Sequence, residues 1–171
     1  MKIVILSGSP RPNGNSATLA EAFRAAAVEA GHEVTLFPVG NMDISDCKAC
    51  EYCHTKGEGQ CIQKDDMEKI NPAIHEADMV VIASSIFYWA ITAKLQSCIN
   101  RLYPLGKPQK ATKFAFILSS GSNNVHQGVE AQWARILNYW NAENLGFFKH
   151  TQESGNFEEI KEQVVALAKS L

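Results

Sequence analysis

The sequence predicts an open, doubly wound α/β fold, in which a five-stranded parallel sheet carries helices on both faces and makes three layers. Five short apolar runs alternate with helical patterns along the whole chain. Two of these runs, 79–84 and 113–119, are apolar almost throughout, as expected of strands that are covered on both faces. With 171 residues, 46% of them apolar, we expect one domain over 1–171 that buries a full core.

The strands and helices follow from these patterns in chain order. The predicted strands are 2–7, 33–38, 79–84, 113–119 and 143–149. Apolar residues at helical spacing span 19–30, 91–102, 129–140 and 157–171, and a further helix begins near residue 65. Gly31 suits the end of the first helix, and Pro104 ends the stripe at 91–102. Asp65 and Asp66 suit the positive end of the helix that they begin.

Charge and hydropathy exclude some classes of partner. The net charge is −2 without any block of like charges, which argues against nucleic acid or an anionic membrane as the main partner. The apolar run at the N-terminus has four residues, which is too short for a signal peptide. The longest apolar stretch, 79–91, contains two serines and is too short to cross a bilayer. We therefore expect a cytoplasmic protein.

The segment after the first strand has the composition of a phosphate-binding loop. It reads Ser7-Gly8-Ser9-Pro10-Arg11-Pro12-Asn13-Gly14-Asn15-Ser16 and runs directly into a helix. Glycines let the backbone approach an anion, and the N–H groups of a helix N-terminus point at it. The spacing of Gly8 and Gly14 excludes G-x-G-x-x-G, and no Lys follows Gly14 as a P-loop requires. The remaining candidate ligand is a single small phosphate, which hydroxyls, amides and Arg11 would hold. The alternative is an ordinary strand–turn–helix connection without a ligand.

Two further loops follow strands three and four, at the sheet edge where ligands bind in such folds. The first reads Ala83-Ser84-Ser85-Ile86-Phe87-Tyr88-Trp89-Ala90. Its three aromatics suit a planar ring ligand, or else a plug under the sheet edge. The second reads Ser119-Ser120-Gly121-Ser122-Asn123-Asn124 and suits hydrogen bonds to a heterocycle or a ribityl-like chain, although a plain connecting loop looks the same. His126 is the one histidine placed to reach such a ligand, and a surface position is its simpler interpretation.

Over essentially the whole chain, these residues resemble the flavodoxin-like NAD(P)H-dependent FMN reductase family. The resemblance implies a sheet in the order 2-1-3-4-5 and a homodimer or homotetramer. It implies that the FMN phosphate is held by Ser9, Arg11, Asn15 and Ser16. It also implies that the loop Ser84-Ser85-Ile86-Phe87-Tyr88-Trp89 packs along the flavin ring, and that Ser119, Gly121 and Ser122 make a third contact. Ser85 stands where the family usually has proline and Phe87 where it has tyrosine, so the loop loses rigidity and one polar contact but keeps its stacking surface.

The function that the resemblance implies is an FMN-dependent oxidoreductase. It would take hydride from NAD(P)H and pass the electrons to a quinone, a flavin or another small-molecule acceptor. The flavin carries such chemistry, which agrees with the lack of a Ser/His/Asp or paired-carboxylate arrangement in the sequence. A flavin-binding regulatory module without turnover is a weaker alternative.

Four cysteines form a second motif within a predicted insertion at about 41–64. They follow the spacing Cys47-x2-Cys50-x2-Cys53-x7-Cys61. Four interpretations stay open: a [4Fe–4S] cluster, a zinc ion, a redox-active Cys50–Cys53 or Cys47–Cys50 pair, and free thiols. The segment resembles the iron–sulfur flavoproteins, although their spacing to the fourth cysteine is usually shorter. This resemblance implies an alternative function, an electron carrier that uses FMN and [4Fe–4S] with a ferredoxin-like protein.

Two residues near these motifs have simpler interpretations. Cys98 falls on the apolar stripe of its predicted helix, so we expect a core thiol there. His54 follows the third cysteine of the motif directly, and we expect it to be a solvated loop histidine.

Overall fold

The sheet is parallel throughout and has the predicted strand order. The computed structural model describes residues 1–171, and its strands pair in the order β2-β1-β3-β4-β5. The strands are β1 (Lys2–Ser7), β2 (Glu33–Phe37), β3 (Met79–Ser85), β4 (Lys113–Ser120) and β5 (Glu143–Thr151). The helices are α1 (Asn15–Glu29), α2 (Met67–Glu76), α3 (Ala93–Asn100), α4 (Gln127–Trp140) and α5 (Phe157–Ser170). The doubly wound fold class predicted from the sequence is confirmed.

Two apolar cores lie on opposite faces of the sheet. Side chains alternate along each strand, so Ile3 and Ile5 of β1 join the core beneath α1 and α5. Val4 and Leu6 join the larger core beneath α2, α3 and α4. The central strands contribute to both cores, which explains why their sequences are apolar almost throughout.

The element boundaries differ most from the predicted ones at two places. Strand β5 extends to Thr151, because Thr151 pairs with Ser120 at the end of β4. Helix α3 is shorter than its apolar stripe: Ile91 precedes it and Leu102 follows it, and both are buried. An apolar stripe shows which side chains face the core. Here the turns before and after the helix also face the core, so the stripe is longer than the helix.

Residues 42–66 form the cysteine loop, which joins the β2 side of the sheet to α2. Apart from a short 3-10 turn at Tyr52–His54, this loop has no regular secondary structure. It lies against the C-terminal end of α3, where Asn100 Nδ2 donates to Asp46 Oδ1 at 3.0 Å. Tyr103 also donates from its hydroxyl to Glu51 Oε1 at 2.9 Å.

None of the helices combines the length and apolar character that crossing a membrane requires.

Candidate functional site

Hydrogen bonds join the loops that follow β1, β3, β4 and β5 at one edge of the sheet. The N–H of Gly8 donates to the carbonyl of Ala83 at 2.8 Å, and Ile86 N–H donates to the Ser119 carbonyl at 2.8 Å. The loop after β5 joins through Gln152, whose N–H donates to the carbonyl of Ser120 at 3.0 Å. The three segments singled out in the sequence therefore lie side by side.

The phosphate loop (residues 8–16) folds back on itself. Ser9 Oγ donates to the carbonyl of Arg11 at 2.8 Å, and the same carbonyl accepts from Gly14 N–H at 3.0 Å. A Cβ at Gly14 would lie 2.8 Å from Ser9 Oγ, so a larger residue there would disrupt the turn. The loop also packs tightly against the segment after β2, since a Cβ at Gly40 would lie 2.4 Å from the Ser9 carbonyl oxygen.

Ser16 supplies a buried hydroxyl that no protein group satisfies. It lies in the first turn of α1, is fully buried, and its Oγ has no hydrogen-bond partner. Buried polar groups are nearly always paired, so an unpaired one is explained by a bound water, an ion, a ligand or strain. The first turn of α1 also holds no acidic side chain, and Arg11 is exposed beside it. These features fit an anion at the helix N-terminus, as a flavin phosphate would be.

Asn15 is held in place by a histidine that the sequence reasoning missed. Asn15 Nδ2 lies 2.9 Å from His150 Nε2, and His150 Nδ1 lies 3.2 Å from Asn156 Oδ1. Because Asn156 Oδ1 also accepts from Thr151 N–H, that oxygen acts as an acceptor and places the proton of His150 on Nδ1. His150 Nε2 then accepts from Asn15. The buried His150 thus orients Asn15 from β5, 135 residues along the chain.

The three consecutive aromatics lie on a tight turn that faces solvent. Phe87 and Ala90 form a two-residue hairpin with reciprocal hydrogen bonds of 2.9 and 3.0 Å. Between them, Tyr88 and Trp89 have φ values of 48° and 62°. Positive φ at both central residues is the mark of a type I′ turn, in which these two positions are usually Asn and Gly. The exposed fractions are 58% for Phe87, 94% for Tyr88 and 55% for Trp89. This aromatic turn (residues 87–90) is therefore a strained, exposed surface and not a plug under the sheet.

The base of the aromatic turn is fixed to the sheet. Ser84 Oγ donates to the Ser85 carbonyl at 2.8 Å and accepts from Thr92 N–H at 3.0 Å. Thr92 in turn donates from its hydroxyl to the carbonyl of Gly8 at 3.0 Å. Ser84 is buried and fully engaged in these contacts, and Ile86 is buried beside it. Of the residues expected along the flavin ring, Phe87, Tyr88 and Trp89 are the exposed ones.

The loop after β4 contains both buried and open positions. Ser119 and Ser120 are buried, whereas Gly121 and Ser122 are exposed. Ser120 Oγ donates to the carbonyl of Ser122 at 2.8 Å and so closes the turn.

His126 does not lie on the surface, so that expectation was wrong. It is 5% exposed, and its Nε2 lies 3.4 Å from Ser120 Oγ, because the start of α4 packs beneath the loop. Burial lowers the pKa of His126, and the charge of Lys149 lowers it further. The ring borders a polar cavity of about 340 Å³ between α4 and the end of β5.

The four cysteines of the motif line one small cavity of about 20 Å³. Cys53 is buried, Cys47 and Cys61 are half-buried and Cys50 is exposed; all four are free thiols. No three metal-binding side chains lie close enough together to hold a single ion. A single zinc ion would need its sulfur ligands at about 2.3 Å from one point, so this geometry does not favour zinc.

Of the two residues given simpler interpretations, Cys98 conforms to expectation and His54 conforms only partly. Cys98 is a core thiol as expected, and burial raises its pKa to about 12. His54 is exposed as expected, but its ring packs edge-on against Tyr103 and its Nε2 lies 3.1 Å from the carbonyl of Tyr103.

A buried ion pair holds the cysteine loop against the sheet. Arg101 contacts the two oxygens of Asp65 at 2.6 and 3.1 Å and donates to the Ser45 carbonyl at 2.8 Å. The side chains are 1% and 5% exposed. Burial opposes ionisation of Asp65, but the hydrogen bonds from Arg101 and from the N–H groups of Met67 and Ser45 prevail and keep the pKa of Asp65 below its usual value. The sequence pattern predicts a helix start at Asp65 and gives no sign that Arg101 pairs with it.

Comparisons with known proteins agree with the fold and with the family that the sequence motifs resemble. Residues 1–148 match the family model described as NADPH-dependent FMN reductase. A curated iron–sulfur flavoprotein of Archaeoglobus fulgidus is 30% identical over 150 residues, which cover 86% of this chain and 67% of that protein. An iron–sulfur flavoprotein of Methanocaldococcus jannaschii is 37% identical over 101 residues, or 59% of this chain and 50% of that protein. The chain thus spans about half to two thirds of the length of these relatives.

Solved structures share the fold over nearly the full chain. An azoreductase from Bacillus anthracis str. Sterne superposes with a TM-score of 0.76 at 18% identity, covering 100% of both chains. An NAD(P)H:quinone oxidoreductase from Methanothermobacter marburgensis superposes with a TM-score of 0.71 at 17% identity, covering 99% of this chain and 96% of that one.

Proposed function

The chain belongs to the family of NADPH-dependent FMN reductases, and on that premise we propose that it is an FMN-dependent oxidoreductase. It takes hydride from NAD(P)H and passes the electrons to a quinone, a flavin or another small acceptor. The observation that supports the proposal is the unpartnered, buried hydroxyl of Ser16 at the N-terminus of α1, in the loop that closes on itself between β1 and α1.

The proposed binding residues divide between the phosphate and the ring. Ser9, Arg11, Asn15 and Ser16 bind the phosphate, with Asn15 oriented by His150. Phe87, Tyr88 and Trp89 border the ring on the solvent side, while Ser84, Ser85 and Ile86 support them from beneath. Ser119, Gly121 and Ser122 lie where the polar edge of the ring or the ribityl chain would pass. When bound, FMN supplies the redox chemistry, and the protein positions it and shields it from water.

The test is anaerobic reduction of the FMN-loaded protein. NADPH and NADH are added in turn to separate samples, and the absorbance of oxidised flavin is followed. We expect at least one of them to bleach the flavin band stoichiometrically. A protein that binds FMN but is bleached by neither nucleotide would refute the reductase function while leaving FMN binding intact.

The exposed aromatic turn also supports an oligomer. Three adjacent large side chains that are each more than half exposed form an apolar patch of the kind that marks interaction sites. We propose a homodimer or homotetramer, and sedimentation velocity of the FMN-loaded protein tests it. A monomer at micromolar concentration would contradict this assignment.

A second function is favoured by the cysteine loop. The thiols of Cys47, Cys50, Cys53 and Cys61 line one cavity, and four cysteine thiolates are the ligand set of a [4Fe–4S] cluster. The relatives named iron–sulfur flavoproteins point in the same direction. We propose a [4Fe–4S] cluster held by these four thiolates, which would let the protein exchange single electrons with a ferredoxin-like partner.

Iron and acid-labile sulfide analysis tests the cluster on protein purified without oxygen. We expect about four iron atoms per chain, as this cluster type requires, and their loss in Cys53→Ser. Cys98→Ser is the matched control, because Cys98 is a buried core thiol that does not line the cysteine cavity. Flavin absorption bands without bound iron would refute the cluster and leave only the FMN-dependent oxidoreductase function.

A further inference from the structure

Arg101 carries a buried hydrogen-bond donor that its structural partners do not use. The terminal nitrogens of its guanidinium bind Asp65 and the Ser45 carbonyl, but Nε has no partner although the side chain is 1% exposed. A buried donor without a partner is costly, and a purely structural ion pair gains nothing from it. The free N–H is therefore available to a partner that is not a protein group, such as water or a bound ligand.

Arg101 borders two cavities, and the smaller of them is lined by the cysteines. Arg101 lines the same small cavity as the four cysteines of the motif. The thiol of Cys61 is close enough to interact with the guanidinium, yet it does not satisfy Nε. No acidic side chain other than Asp65 makes a hydrogen bond or ion pair with Arg101. An anionic, sulfur-bearing group in the cavity would satisfy the donor.

We propose that Arg101 is a positioning residue of the cysteine site: it holds the cysteine loop closed through Asp65 and Ser45, and its Nε–H donates to a sulfur of the anionic iron–sulfur group bound there. This inference rests on the second proposed function. Hydrogen bonds to the sulfurs and the charge nearby are among the factors that set the potential of an iron–sulfur cluster. Arg101 therefore stabilises the more negatively charged, reduced form and raises the reduction potential.

The test uses variants that separate folding from the contact with sulfur. The double variant Arg101→Gln/Asp65→Asn removes both charges together, so it leaves no unpaired buried charge, and it removes the Nε–H. Arg101→Lys keeps the charge opposite Asp65 and also lacks the Nε–H. Lys94→Gln is the control, since Lys94 Nζ donates to the carbonyl of Ile44 in the same loop at 3.3 Å but does not line the cysteine cavity.

The readouts are the cluster midpoint potential in an anaerobic redox titration and the rate of iron loss to a chelator. We expect the double variant and Arg101→Lys to shift the cluster potential to more negative values. We also expect a metal affinity weakened about 10- to 100-fold, as is usual when a residue that supports the ligands is changed, and hence faster iron loss. FMN affinity should stay at the wild-type value in all of these variants, and Lys94→Gln should match the wild type in every readout.

Two results would overturn the inference in distinguishable ways. Wild-type protein that holds no iron would refute the cluster and this role of Arg101 together. Iron-loaded wild type whose potential is unchanged in Arg101→Lys and in the double variant would refute the role of Arg101 alone. If the double variant does not fold, Arg101→Lys decides by itself.

Discussion

Ser16 Oγ is the one polar side-chain atom of the phosphate loop that is buried without a hydrogen-bond partner. Its hydroxyl is buried without a partner, so the folded protein without ligand gains nothing from it. The neighbouring Asn15 and Ser9 differ, because both are engaged by protein groups. Removing the Ser16 hydroxyl therefore separates ligand binding from folding better than any other change in the loop.

Ser16→Ala should weaken FMN binding and leave the fold intact. A hydrogen bond to a charged phosphate contributes about 1.5–3 kcal/mol, so the dissociation constant should rise roughly 10- to 100-fold. Fluorescence titration measures the affinity, and urea denaturation without FMN should give an unchanged or higher free energy of unfolding. The control is Thr18→Ala, whose hydroxyl is exposed on the same helix. Equal affinity in Ser16→Ala and wild type would remove Ser16 from the site.

The residues that the sequence did not reveal are partners across long distances. The phosphate loop, the aromatics and the cysteines are readable because each motif is contiguous or regularly spaced. His150 reaches Asn15 across 135 residues, and Arg101 reaches Asp65 across 36 residues. The first contact depends on the packing of β5 beside β4, and the second depends on the packing of the cysteine loop on α3. A single histidine or arginine belongs to no spaced motif, so the sequence alone does not predict these two contacts.

At the scale of elements, the aromatic turn stores backbone strain where the ligand is proposed to bind. Tyr88 and Trp89 both adopt a left-handed conformation that bulky residues avoid, at a cost of about 1–2 kcal/mol each. Strain of this kind persists where the surrounding structure enforces it, commonly at functional sites. The hairpin hydrogen bonds of Phe87 and Ala90 and the packing of Trp89 on α4 enforce it here.

Tyr88→Asn should stabilise the fold and impair activity. Asn tolerates the left-handed conformation, and Tyr88 is 94% exposed in the single chain, so little packing within the chain is lost and the free energy of unfolding of the monomer should rise by about 1 kcal/mol. Loss of a ring that stacks would lower NAD(P)H oxidation by up to about tenfold. Urea denaturation and steady-state kinetics measure the two effects. A destabilised variant would show that the turn is not strained.

Gly128→Ala should damage the aromatic turn from beneath. Alanine normally stabilises a helix relative to glycine by about 0.5–1 kcal/mol. Here the new Cβ would lie 2.5 Å from the Trp89 carbonyl oxygen, and such overpacking costs about 1–3 kcal/mol, so the net effect is destabilising. Thermal unfolding and FMN titration should both report a loss. Ala131→Gly, at an exposed position of α4, is the control that should lose stability without losing FMN affinity.

At the scale of the whole molecule, the Asp65–Arg101 pair couples the cysteine loop, the start of α2 and the end of α3. The folded state lowers the pKa of Asp65, so the pair stabilises the protein above the pKa of an unfolded Asp, near 4, and this stability is lost as the pH falls through the folded value. Asp65→Asn leaves Arg101 charged, buried and unpaired, which costs about 3–5 kcal/mol at pH 7.

Urea denaturation at pH 7 and at successive pH values below 4 measures this dependence. We expect the difference between the wild type and Asp65→Asn to shrink as the pH falls, because the wild type then loses the same charge. Asp66→Asn is the control, since Asp66 pairs with Lys69 at the surface and should give a smaller effect. A difference that stays constant with pH would contradict the assigned role of the pair.

The overall architecture was readable from the sequence because it depends on periodicity. Continuous apolar strands and helical stripes set the layers, and the strand order followed from the family resemblance. Boundaries were less readable, since Ile91 and Leu102 face the core from turns beyond α3. The burial of His126 was also unpredictable, because it depends on how α4 packs beneath the loop after β4.

The most direct test of the account is a crystal structure of the protein with FMN bound. We predict the phosphate at the N-terminus of α1 within hydrogen-bond distance of Ser16 Oγ, and the ring against the aromatic turn, beside the loop after β4. FMN bound elsewhere, or a phosphate loop that remains without ligand while the flavin occupies another cavity, would contradict the proposed site.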